Sequence, residues 1–253
     1  MQAEEELLKK RFCQLADKAE EECRYLYTGF FNLAEQSLLQ RTALACFPGI
    51  PYRIWGGYPG AERQLAALGG PELFGFEPEF PLVCLAIAPL QVKFADSLNH
   101  RDFLGAVLNL GVNRNTLGDI LVAENTGYLF CLDSMAEYIS ENLSRVKHTT
   151  VSCQRVEGPP GEAGQSFREL SLVIASERLD ALVAGVFKLS RSQSAGLFQE
   201  ERVFVNGAKA NGASLLPKAG DLVSVRGKGR FYYDGAVRDT KKGRKGVAVR
   251  LFE

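Results

Sequence analysis

Histidine is scarce in this chain of 253 residues: there are only two. Metal catalysis and histidine-based triads therefore have few raw materials, and neither a metal site nor a cofactor is expected. Six cysteines are present (Cys13, Cys23, Cys46, Cys84, Cys131 and Cys153), but no two stand close together. That scatter lacks the spacing of a zinc or disulfide framework and fits buried or free thiols in a reducing compartment. No apolar run is long enough to span a bilayer, and the acidic, helix-patterned N-terminus is unlike a secretory signal. A cytoplasmic protein without a membrane partner is expected. Net charge is missing as well, because 30 Lys and Arg meet 30 Asp and Glu.

That balance conceals an asymmetry. From Leu179 to the last residue there are 14 basic side chains against 7 acidic ones, a net of +7, and the residues before it carry −7. A basic module on an acidic body points to a nucleic-acid partner for the basic end. The length implies two or three domains. Pattern breaks place them at 1–78, 79–176 and 177–253, in an α+β arrangement.

The basic end is the most legible. Leu179, Leu182, Val183 and Val186 recur at helical spacing. Ser190 and Gln193 have the spacing of a capping box, which starts a second helix with Arg191 in its first turn and Ala195 and Phe198 facing inward. Val203 to Val205 reads as a strand, Asn206-Gly207 as a tight hairpin turn, and Pro217 to Asp221 as another turn. Leu222 to Val225 is a strand that runs into Arg226-Gly227-Lys228-Gly229-Arg230. If that run is extended, its three cations share one side and its glycines the other. Phe231 to Val237 and Val247 to Phe252 read as strands joined by the basic turn Lys241-Lys242-Gly243-Arg244-Lys245-Gly246.

These motifs resemble the RNA-binding domain of small-subunit ribosomal protein S4, the alpha-L motif. The matching residues are Arg178-Leu179-Asp180, Ser190-Arg191-Ser192-Gln193, Arg202-Val203-Phe204-Val205-Asn206-Gly207 and Pro217 through Asp221. The resemblance implies that the second helix and the hairpin grip structured RNA by shape and phosphate. The expected RNA contacts are Arg178, Lys188, Ser190, Arg191, Ser192, Gln193, Arg202, Asn206, Lys209, Arg226, Lys228 and Arg230. About five neutralised phosphates would give a log–log salt slope of roughly −3.5 to −4.5.

The N-terminal part opens with a helix whose apolar face is Leu8, Phe12, Leu15, Ala16 and Ala19. A second helix is expected over Leu33 to Cys46. The loop Trp55-Gly56-Gly57-Tyr58-Pro59-Gly60-Ala61-Glu62-Arg63 reads as a shaped turn leading into a helix. It lacks the lysine and hydroxyl of a phosphate-binding loop. In the middle, strands at Leu82 to Ala88, Gly118 to Ala123, Tyr128 to Leu132 and Thr150 to Val156 alternate with helices at Arg101 to Leu110 and Ser134 to Leu143. Ser134 would cap the latter helix, and Asn125-Thr126-Gly127 would be a turn. The order is βαββαβ, that of a ferredoxin-like or RNA-recognition-motif-like (RRM-like) sheet. Tyr128 and Phe130 are expected in the core. Leu170 to Ala175 is expected to pair with the strand before it, across a flexible Gly158 to Gly164 loop.

Asn99-His100-Arg101-Asp102-Phe103-Leu104-Gly105, Leu110-Gly111-Val112-Asn113-Arg114 and Leu117-Gly118-Asp119-Ile120 complete a second pattern. With the Gly56 to Arg63 loop and the basic end, they resemble the bacterial YlmH family over nearly the whole chain. The resemblance implies an N-terminal region, an RRM-like centre and an S4-type domain. It also implies a role in ribosome quality control on the large subunit carrying a stalled peptidyl-tRNA, and links to cell division. The expected partners are large-subunit rRNA and tRNA, with no small-molecule substrate. His100, Arg101 and Arg114, near loop-to-helix junctions, are candidates for a second RNA contact.

Enzyme readings have less to stand on. His100-Arg101-Asp102 resembles a kinase catalytic loop, but the asparagine, Asn109, comes two positions late and no metal-binding motif follows. Arg178-Leu179-Asp180 is shared with pseudouridine synthases, yet here it opens the first helix of the basic module. A synthase-like modifying enzyme and a cell-division accessory protein are the alternatives to a non-catalytic RNA-binding factor.

Overall fold

The computed structural model describes residues 2–160, 167–239 and 244–252. Helices and antiparallel sheets divide between two compact units, Met1–Gly164 and Gln165–Glu253.

The first unit begins with α1 (Gln2–Glu21), β1 (Leu26–Tyr27), α2 (Leu33–Cys46), β2 (Tyr52–Trp55), β3 (Leu65–Leu68) and the short α3 (Pro71–Phe74). Phe12, Ala16 and Ala19, spaced four and three residues apart on α1, are buried with Leu38 and Leu39 of α2. Asn32 caps α2 by accepting from Ala34 and Glu35 N–H, and the Glu35 carboxylate accepts from Asn32 N–H at 2.6 Å. The Gly56 to Arg63 loop leads into β3, not into the expected helix. Leu65, Ala66, Ala67 and Leu68 are all buried, with β1 on one side and β2 on the other. A fully apolar four-residue run suits a strand sandwiched in a sheet better than a helix face.

The unit continues with β4 (Leu82–Pro89), α4 (His100–Leu108), β5 (Leu117–Ala123), β6 (Thr126–Leu132), α5 (Asp133–Asn142), β7 (Arg145–Val146) and β8 (Thr149–Val156). The sheet order is β5-β6-β4-β8-β7, with every pairing antiparallel. Phe103 and Val107 of α4 and Ala136 and Ile139 of α5 are buried with Leu85, Ile87 and Leu129 of the sheet. The β5–β6 turn falls on Glu124 and Asn125, one residue earlier than expected, and both have positive φ (48° and 63°). That is the requirement of a two-residue hairpin turn, and Asn at its second position meets it. Ser134 does not cap α5. The helix starts at Asp133 after Leu132, without a side-chain cap, and Asp133 N–H donates to Pro81 O at 3.0 Å.

Phe130 is buried, as expected for a core residue, and stacks on Tyr58 with ring centroids 5.1 Å apart. Gly57, at φ 102°, lies against the same ring, and a Cβ there would sit 2.2 Å from Phe130 Cδ1. Gly57→Ala is therefore expected to destabilise this unit by about 2 kcal/mol, through steric overlap and a disfavoured backbone, as read from the urea midpoint.

The second unit holds β9 (Phe167–Ile174), α6 (Leu179–Val186), α7 (Arg191–Gln199), β10 (Val203–Val205), β11 (Ala208–Lys209), β12 (Leu222–Val225), β13 (Gly229–Asp239) and β14 (Lys245–Phe252). Its sheet order is β11-β10-β12-β13-β14-β9. β9 therefore does not pair with β8 as expected. It runs antiparallel to β14 from Phe167↔Phe252 to Ile174↔Lys245. Leu170, Leu172 and Ile174 join the core under α6, which the alternation of β9 alone could not assign to one sheet or another. The Gly161 to Gly164 part of the expected flexible loop, and Lys241 to Gly243 of the basic turn, lie outside the described residues.

The stripe of α6 is buried as expected, with Leu179, Leu182, Val183 and Val186 in one core with Phe231, Val247 and Val249. On α7 the inward positions are Ser194 and Leu197, with Phe198 half-buried, whereas Ala195 is exposed. Ser194 tolerates burial because its hydroxyl donates to Asp180 O at 2.8 Å.

Candidate nucleic-acid interface

Two short helices and a loop build the first part of the site. α6 begins without a side-chain cap, and its first N–H groups are met by backbone: Leu179 N–H donates to Leu215 O and Asp180 N–H to Ala213 O. Two residues past the end of the helix, Lys188 has a left-handed φ of 52°, while Leu189 N–H bonds back to Ala184 O at 2.9 Å. This helix end turns the chain sharply into α7. Ser190 then accepts from Gln193 N–H at 3.2 Å, and the Gln193 side chain accepts from Ser190 N–H at 2.9 Å. The expected capping box is present.

Arg178 and Arg191 line one cleft of about 220 Å³ with Asp180 and Ala181. Their electrostatic states differ. Arg178 holds Asp180 through two N–H groups at 3.1 and 2.8 Å, so its charge is largely compensated. Arg191 is exposed and forms no ion pair with a described residue. It stands at the positive end of the α7 dipole, where phosphate is favoured. Ser190 and Gln193 spend their side chains on the cap, and Ser192 Oγ lies 3.0 Å from Ser190 Oγ.

The second part is the β12–β13 turn. The run Arg226 to Arg230 is not extended: Arg226, Gly227 and Lys228 form a tight turn, with Lys228 N–H donating to Val225 O at 3.0 Å. Gly227 (φ 76°) and Gly229 (φ 128°) supply the backbone angles that reverse the chain, so the three cations do not share one side of a strand. Arg226 instead lies over the Phe204 ring at 4.5 Å, and Arg230 over Phe252 at 4.3 Å. Arg202 serves as a strut, donating to Arg226 O at 3.0 and 2.6 Å and pairing with Glu200 at 2.9 Å. Lys228 is exposed, with no ion pair to a described residue. Phe187 packs on Phe231 with centroids 5.9 Å apart and lies near Gly229, so the residue before Lys188 rests on this same turn.

The β10–β11 hairpin is the third part. Asn206 (φ 48°) and Gly207 (φ 75°) form the expected turn. The Asn206 side chain is occupied: its amide donates to Asp221 at 2.8 Å and its oxygen accepts from Leu222 N–H at 2.9 Å. Asn206→Ala is expected to cost about 2 kcal/mol of stability by orphaning these groups, measured by thermal unfolding. Lys209 is ion-paired with Glu201. Of the twelve expected contacts, Lys188, Arg191, Arg226 and Lys228 are the exposed cations without an ion pair to a described residue. The others are paired, capping or structural, and Arg230 also covers the Phe252 ring.

The second candidate cluster does not come together as one. His100 and Arg101 are exposed at the start of α4, where Asn99 and Asp102 form the cap and Asp102 also pairs with Lys147 at 2.7 Å. Arg114 is turned inward, donating to Leu117 O at 2.6 Å and Gly118 O at 3.1 Å. Burial, with the Arg63 charge adding to it, pushes the Arg114 guanidinium down to about 10. Arg63 donates to Leu117 O, Phe30 O and Arg114 O. Asp119 is the shared counter-charge: it accepts from Tyr58 OH at 2.9 Å, Glu62 N–H at 2.6 Å and Arg63 N–H at 3.2 Å. The Gly56 to Arg63 loop is thus clamped to β5 by a carboxylate, and Arg114 is part of that clamp.

Sequence spacing does not bring out the aromatic groups. Phe204, Tyr232 and Phe252 read as strand residues without a face, Phe167 stands before the expected Leu170 to Ala175 strand, and nothing beside Arg250 in the chain marks it as part of a site. The signal available is the alternation of Val247, Val249 and Leu251 against Ala248, Arg250 and Phe252, which gives β14 a polar and aromatic side.

The cysteines are free thiols. Burial pushes Cys84 and Cys131 up to about 12, so both stay protonated at neutral pH. Among the described residues no group of three metal-ligating side chains converges, and no helix is long and apolar enough to cross a membrane.

A mixed α/β chain with a five-stranded antiparallel centre and a basic two-helix module is the class of protein these features define. Residues 77–158 match the family described as "Putative RNA-binding domain in YlmH". The chain is 28% identical over 227 residues to the ribosome-associated protein quality control protein P2 of Bacillus subtilis (strain 168), covering 88% of this chain and 86% of that one. It also aligns with the structure of the cell division protein ylmH from Streptococcus pneumoniae at a TM-score of 0.49 and 24% identity, over 60% of this chain and 91% of the other.

Proposed function

We propose that the chain is a non-catalytic RNA-binding factor. In this reading its second unit is an S4-type module, and its central sheet, with four main strands in a split βαβ order, is RRM-like. The proposed division keeps 1–78 and moves the start of the basic module from 177 back to 165, because β9 pairs with β14. The observation that carries the reading is the set of exposed cations around the α6–α7 junction and the β12–β13 turn. Lys188 and Arg191, with Arg226 and Lys228, make no ion pair with a described residue. Cations at a helix start and a tight turn suit phosphates of a structured RNA, whose deep groove excludes side chains from base edges. The RNA-binding description of the matching family and the quality-control name of the Bacillus relative support the same direction. In the reading proposed here the RNA is large-subunit rRNA together with tRNA, the occasion is a stalled peptidyl-tRNA, and the place is the cytoplasm.

The modifying-enzyme alternative would need Asp180 as a catalytic carboxylate. Asp180 is instead held by Arg178 in the first turn of α6. Incubation of tRNA and rRNA fragments with the protein is expected to leave their nucleoside composition unchanged, as read by chromatography of digests. A new nucleoside that disappears with Asp180→Ala would replace this reading with an RNA-modifying enzyme.

A further inference from the structure

The outer face of the second unit's sheet carries a cluster that the phosphate-gripping site does not use. Phe231, Tyr233, Val247 and Val249 point into the core, so alternate residues of β13 and β14 point away from it. There Phe252 meets Phe167 across β14 and β9, with centroids 4.7 Å apart, and Tyr232 lies 5.9 Å from Phe167 and 5.5 Å from Phe252. Arg230 lies over Phe252 at 4.3 Å, and Arg250 over Tyr232 and Phe167 at 5.0 and 5.5 Å. Arg250 is oriented by Asp234, which accepts from its Nε and Nη2 at 3.0 and 2.8 Å. All three rings and both guanidiniums are partly exposed.

We propose that this face is a second RNA surface, which takes unpaired nucleotides by stacking their bases on Phe167, Phe252 and Tyr232 between Arg230 and Arg250. The inference rests on the RNA-binding reading and extends it from helical RNA held by phosphate to a strand held by its bases. Three features favour an unpaired strand over an apolar peptide. The partly exposed groups are flat rings and flat guanidiniums, shapes on which a base can stack. The unit bearing them is strongly basic. The register continues the row from Arg230 through Ser224 to Phe204, which is itself covered by Arg226, so the platform leads toward the cations of the first site.

The test uses the full chain, labelled oligouridine and folded tRNA, read by fluorescence anisotropy. The double variant Phe167→Leu with Phe252→Leu keeps apolar bulk and removes two ring faces. It is expected to lower oligouridine affinity about tenfold or more, since base–aromatic stacking is lost, and to change tRNA affinity less than twofold. Arg191→Ala is expected to weaken tRNA more than oligouridine. Wild-type oligouridine affinity in the leucine variant, or equal loss of both RNAs from a folded variant, would overturn the proposal. A wild-type chain that binds tRNA but not oligouridine would also overturn it while leaving the RNA-binding reading intact; one that binds neither would remove that reading itself. Should the leucine variant fail to fold, ultraviolet crosslinking of oligouridine to the wild-type chain decides. Crosslinks at Phe167, Tyr232 or Phe252 support the face, and crosslinks confined to α6 and α7 overturn it.

Discussion

Asp119→Ala is expected to destabilise the first unit by about 3 kcal/mol, more than either Gly57→Ala or Asn206→Ala. Its carboxylate accepts three hydrogen bonds, from Tyr58 OH, Glu62 N–H and Arg63 N–H, and it faces two inward-turned guanidiniums, Arg63 and Arg114. Each hydrogen bond to a charged group contributes about 1.5–3 kcal/mol, but the three share one acceptor and do not add. Removing the carboxylate takes this acceptor away from the Tyr58 hydroxyl and from two backbone N–H groups. It also withdraws a negative charge that acts on both guanidiniums and supports the Arg114 charge against burial. Asp119→Asn, which keeps an acceptor oxygen and loses the charge, should cost about half as much. Urea unfolding with a probe in the first unit checks both. A stability change below about 1 kcal/mol for alanine would mean that the loop is held by packing of Tyr58 on Phe130 and that the carboxylate is incidental.

Joint replacement of Lys188, Arg191 and Lys228 by alanine is expected to weaken binding to structured RNA by about a hundredfold at moderate salt, with stability nearly unchanged. All three are exposed and none makes an ion pair with a described residue, so the folded state loses little. A hundredfold corresponds to about 2.7 kcal/mol, or about 1 kcal/mol for each phosphate contact. The salt dependence is the sharper readout. Four exposed cations, counting Arg226, predict a log–log slope of about −3 to −3.5, and removing three should flatten it by about 2 to 2.5. Arg202→Ala should behave differently: it removes the strut that holds the β12–β13 turn, so stability falls along with affinity. An affinity loss in the triple variant with no change of slope would show that phosphate neutralisation is not how these residues act.

Much of this architecture is legible in the chain. The capping pair Ser190 and Gln193, the Asn206-Gly207 turn and the four-residue stripe of α6 each encode a local geometry, and local geometry is what sequence spacing specifies. Partners across space are less readable. β9 has the alternation of any half-buried strand, and only its pairing with β14 over eight residues gives it a sheet. The run Arg226 to Arg230 is ambiguous in sequence because glycine permits both an extended strand and a tight turn. Val225↔Gly229 pairing decides between them by closing the hairpin there. Arg114 has the sequence surroundings of a surface cation, because nothing near it in the chain announces the carbonyls of Leu117 and Gly118 that take its guanidinium, or Arg63 beside it. The same limit hides the aromatic face, whose rings come from β9, β13 and β14.

The proposed attachment of the basic unit to ribosomal RNA in company with tRNA is open to one direct measurement. It is tested most directly by co-sedimentation with large ribosomal subunits carrying peptidyl-tRNA, empty large subunits and intact ribosomes, each with the wild-type chain and with Arg191→Ala. Preferential pelleting with the tRNA-carrying subunits, and loss of that preference in the variant, is the expected result. Equal, weak pelleting with all three, unaffected by the substitution, would contradict it.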